Sequence, residues 1–547
     1  MMAAAAGANA APRSSAPVLL VFVLLILLRI LVSLHHHSGE SNHHGKAGAY
    51  GGDYEAQRHW MEVTYHLPLR QWYTYDVDYW GLDYPPLTAY HSYLCGWASH
   101  FLVGKETVAL DASRGYEEVT HKAFMRGTVL VFDVMIYFTA VWAVAQRLHP
   151  NSARDRLWVI ALALAQPSLI LIDHGHFQYN SISLGLALWS FHYMTLDGSF
   201  YRNCVLGSIF FCLSLNFKQM ALYYAPAVFA YLLGRCFEET NAAGKLQSGL
   251  DCLAKFTALG TTVIFSFSAI WAPFVILRSE DDAVLTTVTT ILSRIFPFGR
   301  GLYEGKVSNI WCALSTRPFS FRTRVPERLQ PLFSLGLTVL LFVPACAHLF
   351  LVGRGTSARR NQDKLAHLKA LLGGSASASL AFFLASFQVH EKSILLPLAP
   401  ASLLVVDAPL LVCWFSIASV WTMWHLLQVD RLHVPYLVCI FLYGMLCYLY
   451  DRPILSLSLC RKGNRSLRED FGSFQWPSIV VVTSVAGMVG LHFVECAYEP
   501  PTGLPDLFEV IWSIVGCGIF CICWATLTWT LTSRGTVFDS NGEKKQK

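Results

Sequence analysis

Long apolar runs separated by short polar stretches dominate the chain, and they predict helices that cross a bilayer. One crossing needs about 20 apolar residues. Fifteen segments meet or approach that length: roughly 17–35, 87–104, 126–145, 157–172, 178–196, 203–217, 219–235, 255–277, 331–352, 365–388, 393–408, 409–428, 433–449, 476–495 and 507–531. The pattern predicts an all-α polytopic membrane protein. A single transmembrane domain covers 17–532, between a disordered segment 1–16 and a tail 533–547.

Positive charge orients the segments, because cytosolic loops carry the excess of Lys and Arg. Arg147, Arg154 and Arg156 mark 146–156 as cytosolic, and Arg354, Arg359, Arg360 and Lys364 mark 353–364. Arg452, Arg461, Lys462, Arg465 and Arg468 do so for 450–475. Crossing at every segment from a cytosolic N-terminus puts the first two loops on the wrong side. Removing one crossing before residue 146 repairs both and leaves about 14 spans, with both termini cytosolic. The weakest early segment is 87–104, which carries His91, Ser92, Ser99 and His100, and it is expected to be re-entrant or interfacial. The last four residues, Lys544-Lys545-Gln546-Lys547, then face the cytosol, where they resemble a dilysine signal for return to the endoplasmic reticulum. On this topology the luminal stretches are 36–125, 173–177, 218, 278–330, 389–392 and 496–506.

Composition agrees with this assignment. Of 547 residues, 54% are hydrophobic and only 14% charged, where a soluble protein carries about a quarter. The net charge of +5 includes no basic tract dense enough for nucleic acid. Most of the fifteen cysteines lie in apolar runs, as in Val515–Trp524, so they act as small hydrophobes rather than a disulfide scaffold. The segment Pro17–His35 exceeds the roughly 7–15 residues of a signal-peptide core and lacks a small-residue cleavage site, so it is expected to stay as the first span.

The luminal stretches hold the candidate chemistry. In "GGDYEAQRHW" (Gly51–Trp60), Ala56, Trp60, Thr64 and Leu67 fall on one face of a helix expected to lie flat at the interface, among Trp72 and Trp80. Asp53 stands at or just before its start. It is an N-cap, a carboxylate placed to take a proton from a hydroxyl group, or both, since the two readings are compatible. Asp83 precedes the double proline of "GLDYPPL" and either caps the next helix or faces the site. "LIDHGHFQYN" holds Asp173, His174, His176 and Gln178, too polar for hydrocarbon unless they face a cavity or the protein interior. Two histidines two residues apart make a poor metal site without further ligands. Lys218, Arg294, Arg300, Lys306 and the run His390, Glu391, Lys392 supply cations that either snorkel or hold a phosphate at the membrane surface. His35, His36, His37, His43 and His44 read as a solvated tether with some metal affinity. Asp133, Asp407 and His492 fall in or beside spans, either functional or paired inside the bundle.

Carboxylates, cations and aromatic rings at bilayer level suit transfer of a sugar from a lipid phosphate to a carbohydrate hydroxyl. The phosphate leaves as a stable anion, so one base and a cationic cradle suffice. "GDYEAQRHWMEVTYHLPLRQWY", "YWGLDYPPLTAYHSYL", "LIDHGHFQYNS", "FKQMALYYAP", "RIFPFGRGLYEGKVSNIWC" and "FQVHEKSILLPL" resemble the endoplasmic-reticulum alpha-1,3-glucosyltransferases that use dolichyl phosphate glucose, over about residues 50–530. The wording of "EAQRHW" and "YWGLDYPPLTAYHS" is closer to the enzyme adding the first glucose than to its second-glucose paralog. The resemblance implies a GT-C fold, a luminal active site, no nucleotide sugar and no required metal. It implies a dolichyl phosphate glucose donor, a dolichyl-diphosphate-linked oligosaccharide acceptor, and inversion of a beta linkage to alpha. It also implies Asp53 as general base and His390 beside the donor phosphate. Glu391, Lys218, Arg294 and Arg300 follow only from charge and motif position. One departure is Gly305 where the family tends to carry Asp, and another is Gly51 in place of a bulkier residue. The rival readings are the second-glucose paralog, a lipid-linked sugar flippase, which needs no luminal base, and an inactive scaffold of the glycosylation machinery.

Overall fold

The computed structural model describes residues 16–41, 51–238, 245–279, 283–296, 307–316, 319–355, 364–450 and 476–533. They form helices joined by turns, with no strand among the described residues. The dilysine tail, Arg300, Lys306, most of 353–364 and nearly all of 450–475 lie outside them.

Eight described helices are long and apolar enough to cross a membrane: Ala16–Ser33, Val119–Leu148, Gly249–Ile276, Gln330–Arg354, Leu365–Ala385, His433–Tyr450, Ser478–Ala497 and Leu507–Thr532. A ninth forms if Ala153–Leu164 and Pro167–Phe177, bent by 42°, count as one span. Elsewhere the expected crossings are shorter helices, such as Asn180–Met194, Ala225–Cys236 and Pro409–Trp421. Proline sets one of these boundaries. Pro409 starts a new helix, and the buried Ser183 and Ser214 hydroxyls bond one another at 3.0 Å between Asn180–Met194 and Phe200–Phe217. The segment expected not to cross, 87–104, is the 17-residue helix Pro86–Leu102, which is not among the membrane-length helices.

Leu365–Ala385 is the central helix, with nearly every side chain buried. Outer helices instead present apolar side chains outward, among them Phe265 and Phe493, as a lipid-facing surface requires. Two glycines allow backbones to touch: a Cβ on Gly234 would lie 2.2 Å from the Phe350 carbonyl oxygen, and one on Gly353 2.4 Å from that of Tyr231.

The elements that build the site are α1 (Ala16–Ser33), α2 (Asp53–His66), α3 (Pro86–Leu102) and α4 (Val119–Phe132). Arg29 stands inside α1 without facing lipid. Its Nε donates to Asp133 Oδ2 at 2.6 Å, beyond the end of α4, so Asp133 is paired inside the bundle.

The helix expected to lie flat with one apolar face is instead buried on almost every side. Besides Ala56, Trp60 and Thr64, α2 buries Glu55, Gln57, Arg58, His59 and Glu62. The reason is a satisfied ion network. Arg58 donates to Glu55 at 2.7 and 2.8 Å, to Glu62 at 2.7 Å and to the Ser113 hydroxyl at 2.5 Å. Trp60 and Trp72 pack among Tyr84, Tyr90 and Phe274 rather than anchoring at an interface.

Removing Arg58 would leave two buried carboxylates without their cation. Arg58→Met is expected to destabilise the protein by about 3–5 kcal/mol, read from denaturant unfolding in detergent. A loss below about 1 kcal/mol, the range of an exposed pair, would show that the network does not hold α2.

Candidate functional site

The first turn of α2 is fixed from outside the helix. Gly52 occupies the N-cap position and Asp53 is the first helical residue, so Asp53 is not the N-cap. The Ser38 hydroxyl accepts from the Asp53 backbone N–H at 3.2 Å, taking the cap's role from the chain that leaves α1. This demands a close approach of two backbones. A Cβ on Gly52 would lie 2.4 Å from the Ser38 carbonyl carbon.

Thus anchored, the Asp53 side chain reaches across to two other segments. Its Oδ2 lies 2.9 Å from His176 Nε2, accepts from Lys392 Nζ at 2.6 Å, and accepts from the Gln178 side-chain amide. Its Oδ1 accepts no hydrogen bond among the described residues, and 27% of the side chain is exposed. One oxygen is therefore held while the other stays open to an incoming group.

The segment that supplies His176 and Gln178 is the wide π-helical turn Leu171–Phe177. It ends at Phe177, a buried residue with φ +89°, which a bulky side chain seldom adopts. The turn is pinned by Asp173, which accepts from the backbone N–H groups of Asn180 and Ser181 at 3.1 and 2.7 Å. A second positive φ, +59° at Gln388, precedes the turn carrying His390, Glu391 and Lys392. Strain of this kind persists only where surrounding contacts over-determine it.

Behind Asp53 the polar contacts continue. Gln178 Oε1 accepts from Lys218 Nζ at 2.5 Å, and Lys218 also donates to Asn180 Oδ1 at 2.6 Å. His176 Nδ1 lies 2.5 Å from Asp430 Oδ2. Burial works to raise the Asp53 carboxyl, but Lys392 and His176 overcome it and hold the group well below the usual carboxylate range. The same pairing pushes the Lys392 ammonium up against its own burial. Lys218 goes the other way: burial brings it down to about 8, although Asp173 opposes the shift.

Of the residues expected from sequence, Asp53, His176, Gln178 and Lys218 come together. His390 and Glu391 share the Lys392 turn, and the Glu391 charge helps raise Lys392. Asp83 lies on the flank, where its carbonyl and that of Ile295 accept from the Gln219 amide at 3.4 and 3.3 Å. Arg294 is on the same flank, its guanidinium set over Gly81. Arg300 lies outside the described residues. His174 does not reach Asp53; its Nε2 lies 2.9 Å from Asp133 Oδ2, in the Arg29 network. Two participants were missed: Lys392, noted only as one cation among several, and Asp430, in a four-residue connector that topology puts on the same face as 389–392. His37, Glu40 and Glu117 have ligand spacing for a metal ion, but Lys122 Nζ already donates to Glu40 at 2.6 Å.

Residues 25–526 match the ALG6, ALG8 glycosyltransferase family. The chain belongs to this family. It is 41% identical over 485 residues to the Gallus gallus dolichyl pyrophosphate Man9GlcNAc2 alpha-1,3-glucosyltransferase, covering 86% of this chain and 89% of that protein. It is 37% identical over 519 residues to the Saccharomyces cerevisiae protein of the same name, covering 91% and 87%. A further relative is the Arabidopsis thaliana protein described as a probable enzyme of that name, 37% identical over 514 residues, covering 90% and 87%. The membership makes this multi-pass membrane protein a glycosyltransferase, consistent with a GT-C fold.

Two expectations for this glycosyltransferase follow from the geometry. Gly52→Ala must push Ser38 away from the start of α2 and displace Asp53. Glycosyl transfer is expected to fall about a hundredfold, as for a catalytic group misplaced by about 1 Å; an alanine enzyme with native kcat would refute the close packing. Lys218 is a cation below about pH 8 and neutral above it, so transfer is expected to decline as pH rises through about 8. Lys218→Arg, which keeps its charge, should move that decline to higher pH. A profile that stays level well above pH 8 in the native enzyme would remove the Lys218 charge from the site's requirements.

Proposed function

We propose that the protein transfers glucose from dolichyl phosphate glucose to the terminal mannose of a dolichyl-diphosphate-linked high-mannose oligosaccharide, forming the first alpha-1,3-linked glucose with inversion. The observation that carries this reading is Asp53: one oxygen is held by the Lys392 ammonium and the Gln178 amide beside His176, and the other is open, at the start of a helix fixed to the exit of α1. The family and the names of the relatives support the lipid-linked acceptor and the alpha-1,3 linkage. The Man9GlcNAc2 in those names favours the first glucose over the second. The proposed setting is the endoplasmic-reticulum membrane, with this face luminal and both termini cytosolic.

In the reaction, Asp53 takes the proton from the mannose hydroxyl as its oxygen bonds to glucose C1. The bond from C1 to the phosphate oxygen breaks on the opposite face, which inverts beta to alpha, and the electron pair leaves with dolichyl phosphate. Lys392, His390, Arg294 and Arg300 are the cations for that anion, with Lys218 behind them.

Lys392 has a double part. While it donates to Asp53 it keeps the carboxylate a weak base. A donor phosphate competes for the same ammonium, and each step of withdrawal from Asp53 strengthens the base. Donor binding thereby readies Asp53 for the acceptor.

The test is glucose transfer by the purified full chain in detergent, with dolichyl phosphate glucose and an acceptor carrying no glucose. One glucose is expected per acceptor. Asp53→Asn should lower kcat by roughly 10²–10⁴-fold while still binding donor. Transfer only to a monoglucosylated acceptor would assign the second glucose instead. Native kcat in the folded asparagine variant would discard Asp53 as the base, and a folded native protein inactive on both acceptors would favour the flippase.

A further inference from the structure

The imidazole behind Asp53 is held on both sides. His176 Nε2 faces Asp53 Oδ2 at 2.9 Å, and Nδ1 faces Asp430 Oδ2 at 2.5 Å. Both carboxylates are acceptors when ionised, so the Nδ1 contact to Asp430 carries its proton on the histidine. Lys392 Nζ lies 2.9 Å from His176 Nε2, and an ammonium can only donate. In the neutral ring, with its one proton on Nδ1, Nε2 is the atom that accepts from Lys392. His176 and Asp430 are both buried.

We propose that Asp430 is a positioning residue for the transfer: it holds the His176 Nδ1 proton, so that Nε2 can relieve Asp53 of the proton taken from the acceptor. The proposal rests on Asp53 as the base. The acceptor oxygen gains its bond to glucose C1, the phosphate keeps the electron pair of the broken bond, and the hydroxyl proton passes through Asp53 to Nε2. The resulting imidazolium lies between two carboxylates, an arrangement that favours its charge. Departure of the phosphate frees Lys392 to return beside Nε2, and its charge expels the added proton to water through the open face at Asp53. The starting tautomer is thereby restored.

The surroundings of Asp430 fit this part. The charged groups facing His176 are Asp53, Lys392 and Asp430, and Arg126 acts on Asp430 from α4. Asp430 also lines a cavity of about 280 Å³ with His36, His37, Glu40 and Arg431. The cavity reaches the surface at His36, whose side chain is nearly half exposed.

Asparagine at 430 can donate its amide to Nδ1, which favours the opposite tautomer and blocks Nε2 as an acceptor. The full chain is assayed in detergent with dolichyl phosphate glucose and the unglucosylated acceptor. Asp430→Asn is expected to keep the native unfolding temperature and both KM values and to lose roughly 10²–10⁴-fold in kcat. Asp430→Glu, which restores the acceptor, should recover to within about tenfold of native. Native kcat in a folded asparagine variant overturns the proposal, and so does an equal loss in both variants accompanied by raised KM. Should the asparagine variant not fold, the glutamate variant decides: a displaced pH profile supports the proposal and an unmoved one refutes it. If Asp53→Asn is itself fully active, the failure belongs to the base; if Asp53→Asn is inactive and Asp430→Asn is native, it belongs to Asp430 alone.

Discussion

A single carboxylate oxygen, Asp53 Oδ2, ties together parts of the chain that lie far apart in sequence. His176 is 123 residues away, Gln178 125 and Lys392 339. Each comes from a turn at the end of a helix rather than from a helix face. Turns are where backbone direction can be spent on aiming a side chain, and both turns here contain a non-glycine residue with positive φ, Phe177 and Gln388. The bundle over-determines these turns through buried neighbours, so the strain is tolerated. In this sense the transmembrane helices act as a frame whose registration is read out at one oxygen.

The buried polar groups divide into networks with different tasks. Arg29, Asp133 and His174 tie α1, the end of α4 and the 171–177 turn together inside the bundle. Arg58, Glu55, Glu62 and Ser113 hold α2 against the loop that follows α3. In these two networks each carboxylate is bonded to an arginine of the protein. Around Asp53 the bonding is left incomplete on one side, with Oδ1 open and Lys218 and Lys392 both close by. On the proposed reading the site must admit a phosphate and a hydroxyl, and so it cannot be saturated by its own side chains. Neighbouring histidines of one short motif thus face opposite ways, His174 into the frame at Asp133 and His176 to Asp53.

Much of this was legible in the sequence, though unevenly. The apolar runs and low charge identify a polytopic helical protein, and the polar motifs between them mark the residues that meet at Asp53. The number of membrane-length helices was less legible, because a count of apolar residues does not see where a proline such as Pro409 ends one helix and starts the next. The orientation of α2 was misread for a related reason. Its apolar positions form a face, but its charged positions are also buried, and only the Arg58 network makes that affordable. Asp430 was the least legible of all. A lone aspartate in "QVDRLH" looks like any connector residue, and its significance comes entirely from a contact to His176, 254 residues distant.

The Lys392–Asp53 contact carries a consequence for the order of events on the proposed reading. A base permanently strong and open at the membrane surface would be competent whenever any hydroxyl, water included, reached it. Here the carboxylate is held well below the usual range by the same cation that a lipid phosphate attracts. Coulomb attraction between Lys392 and a phosphate anion competes directly with that between Lys392 and Asp53, and in a partly buried site such competition is worth far more than in bulk water. Proton abstraction is then strongest only with donor in place, when the glycosyl carbon is also there to be attacked. Specificity for a lipid phosphate donor would thereby enter through the strength of the base as well as through the fit of the sugar.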